Sequence, residues 1–557
     1  MATLCGIKLW HLKNLTLAYP LPIILFISYV IWYIAQGNFA IHNALNNLHW
    51  FLIGNLLILL VYWILPFLGN FKLLHLSRVT TLLVVLEAFV CYFQNFGWVK
   101  ADTNSFNASG TLVNPNLTAM FIVMAAPLVI YNIKSDESKF KFISQGTCFL
   151  IITTLLILQC RTAIIGGIIV TLYFLNYQNK LGLQLLSKFR KTNKIKMVIL
   201  FVLLVLASIL LLALLYYFKQ GSSEGRLMIW RVATETGCKK IISGHGIQMF
   251  EKVYNLAQAI FFEDGQADKK EIFAASYIKI AYNDYLQNFV EGGLVGLLIY
   301  AGFIISLLAS HWLNASKTSE FHAAYSGVLI FSIMSFFNSV EYAIPVFALF
   351  MVYAGILVRC TSLSANFRWY KQPLLIKKTK VVALTLFSFG IILLYSQVKI
   401  GSASRTVKIA YDLSKEGKNN ETIRLLKPLE NTLRFSGTYW CVYGIALHKM
   451  RKYESALDKF ENGIKFTSDP EIYIKMSNCH MNLKNYSEAI KTCSTAINIV
   501  PNRIYPRYAL MKIYENKQDT LNAIKIAWEI IAQQPKGTSK NADSYKKEAR
   551  ELIDILQ

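Results

Sequence analysis

Two arginines beside apolar segments are the first candidates for chemistry. Arg161 stands at the start of one apolar run, and Arg226 opens a long polar segment that also contains Trp230. The planar guanidinium group of arginine matches phosphate oxygens, and a nearby aromatic ring suits a sugar. We therefore predict a site for an anionic, sugar-bearing ligand. The alternative for Arg161 is that it only sets the depth of its helix in a bilayer. The alternative for Arg226 and Trp230 is that they are residues of the kind that any soluble loop of this size contains.

Acidic and amide side chains lie where this polar segment meets the next apolar run. Asn283 and Asp284 precede the run, and Glu291 lies one to two helical turns inside it. A charged group at membrane depth is costly unless it is paired or lines a wet cavity, so it marks a functional candidate. Such a carboxylate is suited to act as a general base or to orient one. The alternative is that Glu291 pairs with an arginine only for packing.

Two further motifs add candidates. Gly244-His245-Gly246 places a histidine between glycines that we expect to be flexible, and His245 is a candidate base. Asn114 and Asn116 stand before another apolar run, where their amides either cap a helix or contact ligand. The candidate catalytic residues are therefore His245, Asp284 and Glu291. The candidate substrate-binding residues are Arg161, Arg226, Trp230, Asn283, Asn114 and Asn116.

The sequence contains no motif for several other chemistries. It has no H-E-x-x-H, no P-loop, no G-x-S-x-G and no dinucleotide fingerprint. We therefore expect neither a metal nor a cofactor. The net charge of +25 raises the question of nucleic acid. Many of the basic residues sit in short loops between apolar runs, where positive charge sets membrane orientation, so we expect no nucleic-acid partner.

Long apolar runs fill most of the first 400 residues. The 557-residue chain is 54% hydrophobic and only 16% charged, and its mean hydropathy is +0.40. Runs long enough to span a bilayer predict about eleven transmembrane helices in a polytopic bundle. They lie near 20–36, 50–68, 79–97, 116–132, 142–158, 162–177, 197–218, 286–310, 325–340, 343–358 and 379–398.

The distribution of basic residues predicts the orientation of these spans. With the N-terminus in the cytoplasm, Lys and Arg of the short loops fall almost entirely inside, and only Lys100 and Arg161 fall outside. The same alternation puts the 219–285 loop and the C-terminal domain outside. We therefore predict two domains, a membrane domain at 1–400 that includes this loop and a soluble domain at 405–557. The loop and the soluble domain share one exterior compartment.

The soluble domain shows an internal repeat of about 34 residues, which is typical of tetratricopeptide helix pairs. Small side chains recur at this spacing at Thr422, Ala456, Ala489 and Ala523. Stacked pairs form an α-solenoid with a concave surface. We expect this surface to dock a protein partner or an acceptor, and the alternative is a passive stabilising cap. The predicted fold class is therefore all-α.

Together these motifs resemble the O-antigen ligase and polymerase family, which includes bacterial protein O-oligosaccharyltransferases. The resemblance covers roughly residues 80–360. Its motifs, in order, are Asn114-Pro115-Asn116, Arg161-Thr162-Ala163, Gly225-Arg226 with Trp230, Gly244-His245-Gly246, and Asn283-Asp284-Tyr285-Leu286-Gln287 with Glu291-Gly292.

The resemblance implies a GT-C-like glycosyltransferase of the bacterial inner membrane. It implies inverting, metal-independent transfer of a glycan from undecaprenyl pyrophosphate to lipid A core or protein, on the periplasmic face, as in lipopolysaccharide biosynthesis. Arg161 and Arg226 would hold the donor pyrophosphate, and Asn283, Asp284 and Glu291 would shape the acceptor side. The family usually has a histidine before the asparagine that Asn283 matches, and this chain has Tyr282.

Other functions remain open at this point. An O-antigen polymerase shares the same motifs. A flippase would also have many spans, but transporters tend to show two matching halves with broken helices. A non-catalytic assembly scaffold is the third alternative, because Tyr282 replaces the family histidine.

Overall fold

The computed structural model describes most of the chain. The described residues are 15–17, 21–36, 54–60, 73–101, 106–135, 139–179, 220–265, 267–313, 318–364, 374–376, 379–534 and 541–556. The predicted span at 197–218 lies outside these residues. The span predicted at 50–68 is described only at 54–60, which is helical.

The described part of the membrane domain is mostly helical, which confirms the predicted class. Its helices are α1 (Leu21–Gln36), α2 (Leu73–Asn95), α3 (Pro115–Ser135), α4 (Lys139–Leu158), α5 (Arg161–Asn179), α6 (Gln220–Cys238), α7 (Phe250–Glu263), α8 (Lys269–Ala274), α9 (Asp284–Leu313), α10 (Ser319–Met334) and α11 (Ile344–Ser364). Two three-residue strands, β1 (Leu15–Leu17) and β2 (Leu374–Ile376), pair antiparallel with Leu15 opposite Ile376.

Five of these helices are long and apolar enough to cross a membrane. The spans are Leu73–Asn95, Pro115–Ile133, Phe140–Leu158, Asp284–Leu313 and Ile344–Thr361, and shorter apolar helices occur at Leu21–Gln36 and Arg161–Phe174. The chain is therefore a membrane protein. The total of about eleven spans stays a prediction.

Helix α3 is the centre of the bundle. It packs against α2, α4, α5, α10 and α11, and most of its apolar side chains are buried. Gly327 of α10 lies directly against the ring of Tyr353 of α11. The hydroxyl of Tyr353 in turn donates to the Met124 carbonyl of α3 at 2.6 Å. A small residue therefore lets three helices approach closely and fixes the frame around the site.

The polar segment predicted at 219–285 is itself folded. Helix α6 carries Arg226 and packs on α9, while α7 packs on α6. Helix α8 begins with a capping box, in which Asp268 accepts from the Glu271 N–H and Glu271 accepts from the Asp268 N–H. These helices share a core that includes Val232, Tyr254 and Val290. The segment is therefore a small helical lobe on the end of α9.

The C-terminal part is a series of helix pairs. Its helices are α12 (Thr379–Lys415), α13 (Asn419–Leu426), α14 (Glu430–Leu433), α15 (Gly437–Lys449), α16 (Tyr453–Gly463), α17 (Pro470–Asn482), α18 (Tyr486–Ile499), α19 (Ile504–Asn516), α20 (Thr520–Ala532) and α21 (Ala542–Leu556), with a 3₁₀ turn at Lys427–Leu429. Neighbouring helices pack as pairs, α15 with α16, α17 with α18 and α19 with α20. The tetratricopeptide assignment itself stays a prediction.

Helix α12 joins the two parts without a break. It contains 37 residues and starts in the apolar stretch predicted at 379–398. Its end, around Ala403, Val407 and Ala410, is buried in the first C-terminal core. The domain boundary predicted between 400 and 405 falls inside this helix.

The helical lobe and the C-terminal part are in contact. Helix α7 packs against α18, and Ala259 of α7 belongs to the core of the C-terminal helices. Gln258 donates to the Ile499 carbonyl at 2.6 Å, and Asn502 donates to the Phe273 carbonyl at 3.0 Å. The helical lobe and the C-terminal helices therefore share an interface.

Candidate active site

The candidate site is organised by a break in α9. Gly293 lies inside this helix with φ 65° and ψ −165°, a conformation that glycine adopts far more readily than other residues. The break interrupts the regular pattern of helical hydrogen bonds around it. The freed backbone groups are buried among helices and need partners from elsewhere in the chain.

The turn at 244–246, which contains the Gly-His-Gly motif, supplies two of these partners. The N–H groups of its second and third residues donate to the Val290 and Glu291 carbonyls, each at 2.9 Å. Just before the turn, the Ile241 carbonyl accepts from the Leu294 N–H at 2.7 Å. The motif is therefore a splint across the broken helix.

Close backbone approach explains the first glycine of this motif. Gly244 has φ 70°, and a Cβ atom there would collide with the backbone of Glu291 and of Gly293. Close packing accounts for the glycine at this position, and the flexibility of these glycines stays a prediction. Gly244 lies directly against the backbone of residues 291–293, and a side chain at this position would not fit.

Glu291 is buried beneath this splint, with 3% of its surface exposed. Its Oε2 accepts from the Tyr342 hydroxyl at 3.0 Å. Its Oε1 accepts from the Phe250 N–H at 3.3 Å and from the Gln287 amide at 3.4 Å. None of these described partners is an arginine. The described contacts therefore do not support the alternative that Glu291 pairs with an arginine for packing. The carboxylate is held by neutral donors.

Asp284 has a different setting. It begins α9 and is fully buried. Its Oδ2 accepts from the backbone N–H groups of Val340 and Glu341, at 3.0 and 3.2 Å, and its own N–H donates to the Ser335 carbonyl at 2.8 Å. Asp284 therefore anchors the loop at 335–343, which joins α10 to α11.

A third carboxylate, Glu341, lies in that loop and is 6% exposed. It accepts from the Tyr29 hydroxyl at 2.5 Å and from the Asn288 amide at 3.0 Å. The Asn288 oxygen also accepts from the Tyr33 hydroxyl at 2.7 Å. The network ties α1 to α9 and to the loop.

The two predicted donor-binding arginines lie near each other. Arg161 begins α5, and Arg226 lies in the second turn of α6. Burial lowers the pKa of Arg226, and the nearby positive charge of Arg161 lowers it further. Arg226 donates to the Phe337 carbonyl at 2.7 Å, and its Cζ lies 5.3 Å from the centroid of the Tyr282 ring. The paired charges have the chemistry to bind a diphosphate.

His245 is fixed by its ring as well as by its backbone. Its Nε2 donates to the Thr236 carbonyl at 2.9 Å, which leaves Nδ1 as the unprotonated nitrogen of the neutral ring. Burial lowers the pKa of His245, and Lys240 and Lys239 add to this effect. Both effects favour the neutral form of the ring.

Trp230 and Asn283 both stabilise the turn that precedes α9. Trp230 donates to the Ala281 carbonyl at 3.0 Å, and the Asn283 oxygen caps α9 by accepting from the Leu286 N–H at 3.0 Å. Tyr282, which lies between Ala281 and Asn283, has φ 53°. This backbone conformation is an outlier for a bulky residue. The turn thus holds the Tyr282 ring against Arg226.

Asn114 and Asn116 lie at the start of α3. The Asn114 oxygen accepts from the Asn116 N–H at 2.9 Å, so Asn114 caps the helix, which is one of the two predicted roles. Both side chains are exposed. The capping contact thus joins two residues at the start of the same helix.

Sequence reasoning missed three side chains of this site. Glu341 and Tyr342 sit between apolar runs predicted at 325–340 and 343–358, and Gln287 appeared only as part of a motif. A carboxylate between two spans is a signal in itself, because charge at membrane depth is rare. This signal could have found Glu341.

A cavity of 1330 Å³ lies between the helical lobe and the C-terminal helices. On the membrane-domain side its lining includes His245, Gln287, Glu291 and Tyr342. On the other side it includes the segment from Glu430 to Phe435 and Trp440. The buried carboxylate Glu291 therefore lies at the wall of a large cavity that has both polar and apolar lining.

Comparison with known proteins identifies part of the chain. A solved structure titled "MamA RS-1 ArsTM double mutant" is 17% identical with a TM-score of 0.23, over 28% of this chain and 96% of that chain, and so slight a likeness carries no argument. No curated protein matches the chain. Residues 146–301 match the model of the O-antigen ligase family. This segment includes Arg161, Arg226, the splint and Glu291, and it is this part of the membrane protein that is similar to the O-antigen ligase family.

Proposed function

We propose that this protein transfers a glycan from an undecaprenyl-pyrophosphate-linked donor to an acceptor at the periplasmic face of the bacterial inner membrane. The observation that carries the proposal is the proximity of Arg161 and Arg226, within the segment that matches the O-antigen ligase family. Two guanidinium groups whose charges influence each other suit the two phosphates of such a donor.

The arginines stabilise the leaving group. An acceptor hydroxyl attacks the anomeric carbon of the donor as the bond from that carbon to the diphosphate oxygen breaks. The diphosphate leaves with the bonding electron pair, and its growing charge is matched by Arg161 and Arg226. Attack opposite the leaving group inverts the anomeric centre. No step in this scheme needs a metal.

The acceptor proton goes to a base on the cavity side. Glu291 lines the cavity and is held by neutral donors, so it is the base that the contacts favour. Asp284 is occupied by the backbone of the 335–343 loop and acts as a positioning residue. This assignment supplies the function that the family histidine would have, at a position where this chain has Tyr282.

The orientation belongs to the same proposal. The N-terminus lies in the cytoplasm, and the helical lobe and C-terminal domain lie in the periplasm. The basic short loops support the first statement, and the packing of α7 on α18 supports a common side for the two soluble parts. The C-terminal helix pairs act as a tetratricopeptide array that presents an acceptor or a protein partner.

The test uses the full chain in lipid nanodiscs with purified lipid-linked oligosaccharide. Arg161→Ala and Arg226→Ala are each expected to reduce transfer about a hundredfold, the usual cost of losing a group that stabilises transition-state charge. Arg231→Ala is the matched control, because Arg231 lies on the same helix with 53% of its side chain exposed. Its transfer rate is expected to equal that of the parent chain.

Acceptors are offered separately to distinguish the possible products. Transfer to lipid A core indicates a ligase, transfer to a protein indicates an oligosaccharyltransferase, and lengthening of the donor glycan alone indicates a polymerase. Unchanged transfer in both arginine variants would contradict the proposal. So would movement of intact donor across vesicles without any transfer, which is flippase behaviour.

A further inference from the structure

The cavity between the helical lobe and the C-terminal helices is built from residues of both parts. On one side the lining comes from residues 240–253 and 279–291 together with Gln36 and Tyr342, and on the other from residues 430–466. Neither part forms this space alone. Its volume of 1330 Å³ exceeds that of an ordinary small-molecule pocket, for which about 1,000 Å³ is the upper range.

Positive charge dominates the lining. The basic residues are Lys240, Lys252, Lys279, Arg434 and Lys465, and the acidic residues are Glu251, Glu291 and Glu430. One of these carboxylates is already engaged within the protein. Glu251 accepts from Thr467, Ser468 and Tyr277. The space therefore favours an anionic ligand.

Amide and aromatic side chains make up much of the remaining lining. The amides are Gln36, Gln248, Gln287, Asn431 and Asn462, and the aromatic residues are Tyr342, Phe435, Trp440 and Phe466. Amides can both donate to and accept from hydroxyl groups. Two common kinds of peptide-binding site instead use an apolar groove for a helix or a sheet edge for a strand. This combination favours a sugar chain over a polypeptide.

Two buried polar atoms on opposite walls are unsatisfied among the described residues. They are Oε1 of Gln36 and Nε of Arg434. The other amide atom of Gln36 donates to the Ser243 carbonyl, so this side chain is fixed and its acceptor is still available. Buried polar atoms are nearly always paired in folded proteins, and an exception calls for an explanation. A hydroxyl of a ligand would donate to the Gln36 oxygen, and an acidic group of the ligand would accept from the Arg434 Nε–H.

We infer that this cavity is the acceptor site and that the acceptor is an anionic glycan, whose hydroxyl it delivers to Glu291. The inference rests on the proposed function for the transfer step. Recognition of the acidic sugar chain is independent of that step, and it is carried by Arg434 and Lys465 on the C-terminal wall. The C-terminal domain is thus half of a substrate site.

The test measures binding of fluorescent hexagalacturonate, a carboxylated oligosaccharide, to the full-length protein in nanodiscs without any lipid-linked donor. We expect Arg434→Gln and Lys465→Gln each to weaken binding about tenfold, the effect of losing one charge-assisted contact. Lys491→Gln is the control, because Lys491 lies on α18 with 77% of its side chain exposed. Neutral maltohexaose is expected to compete poorly.

The outcomes separate this inference from the proposed transferase. Loss of hexagalacturonate binding in both cavity variants, with normal binding in the control, supports the site even if the parent chain transfers no glycan. Equal binding in all variants overturns the site even if transfer is normal. Preferential binding of a hexaglutamate peptide that depends on Arg434 also overturns it, in favour of an acidic polypeptide.

Discussion

Arg226 lies over the ring of Tyr282, with its Cζ 5.3 Å from the ring centroid. The two residues come from different helical segments, and the ring is presented by a turn in which Tyr282 has φ 53°. The turn is held on both sides, by Trp230 at Ala281 and by the Asn283 cap. A strained backbone conformation is thus maintained next to a proposed donor-binding arginine.

This contact predicts that Tyr282 sets the position of Arg226. Tyr282→Leu removes the ring and with it about 1 kcal/mol of cation–π attraction, which corresponds to roughly a fivefold rise in the KM for the lipid-linked donor. Tyr282→Phe keeps the ring face and is expected to behave like the parent chain. A fall in kcat with unchanged KM in the leucine variant would instead point to a chemical role for the tyrosine.

Removal of the Glu291 charge tests its proposed role as a base. Glu291→Gln keeps the shape and the hydrogen bond from Tyr342, and it is expected to lower kcat by at least about a hundredfold, the usual contribution of general base catalysis. Tyr342→Phe, which removes one donor to the carboxylate, is expected to have a smaller effect. Transfer rates with saturating donor check both. Equal rates in the parent chain and the glutamine variant would assign Glu291 to structure alone.

The splint predicts a large difference between two glycine substitutions. Gly244→Ala places a Cβ against the backbone of Gly293, whereas Gly265→Ala has the same left-handed φ but open space around it. Backbone strain in the Gly265→Ala control is expected to lower the free energy of unfolding by about 1–2 kcal/mol. Thermal unfolding in detergent is expected to show a much larger loss of stability for Gly244→Ala. Similar melting temperatures for the two variants would contradict the close packing.

The burial of His245 predicts a dependence of stability on pH. Its pKa is lowered from 6.5 in the folded protein, so the unfolded chain binds more protons between the folded-state value and 6.5. The free energy of unfolding contributed by this group is complete above pH 6.5 and declines as the pH falls through that window. We expect His245→Gln to reduce the drop in melting temperature between pH 7.5 and pH 5.5. An unchanged drop would exclude His245 as its source.

Contact between the helical lobe and the C-terminal domain predicts a local change in hydrogen exchange. Glu251 accepts from the Ser468 N–H at 3.0 Å and from the Thr467 hydroxyl at 2.6 Å. Glu251→Ala therefore leaves the Ser468 amide without its acceptor, and its exchange is expected to accelerate. Glu263→Ala, at the exposed end of the same helix, is the control. Exchange at Ser468 that is equally slow in both variants would contradict this contact.

Apolar periodicity predicted much of the fold, because a helix that faces lipid needs a long apolar run. The runs near 116–132, 142–158 and 286–310 correspond closely to α3, α4 and α9. The apolar pattern did not predict the full length of α12, which continues to Lys415. Its polar half is helical because it packs in the C-terminal core, and that packing depends on residues far away in the sequence.

Many residues of the site were predicted from the sequence, but the contacts that join them were not. Arg161 and Arg226 were expected to act together, and they do lie near each other. The link between the 244–246 turn and the break at Gly293 joins segments about fifty residues apart, and no periodic pattern records such pairing. Glu341, in contrast, could have been predicted from the sequence, because it is an acidic residue between two apolar runs.

The unbroken course of α12 has a mechanical consequence. A helix of 37 residues is about 55 Å long, and it is stiff between its apolar start and the core that buries its end. The C-terminal helices are therefore held at two places, by the buried end of α12 and by the packing of α7 on α18.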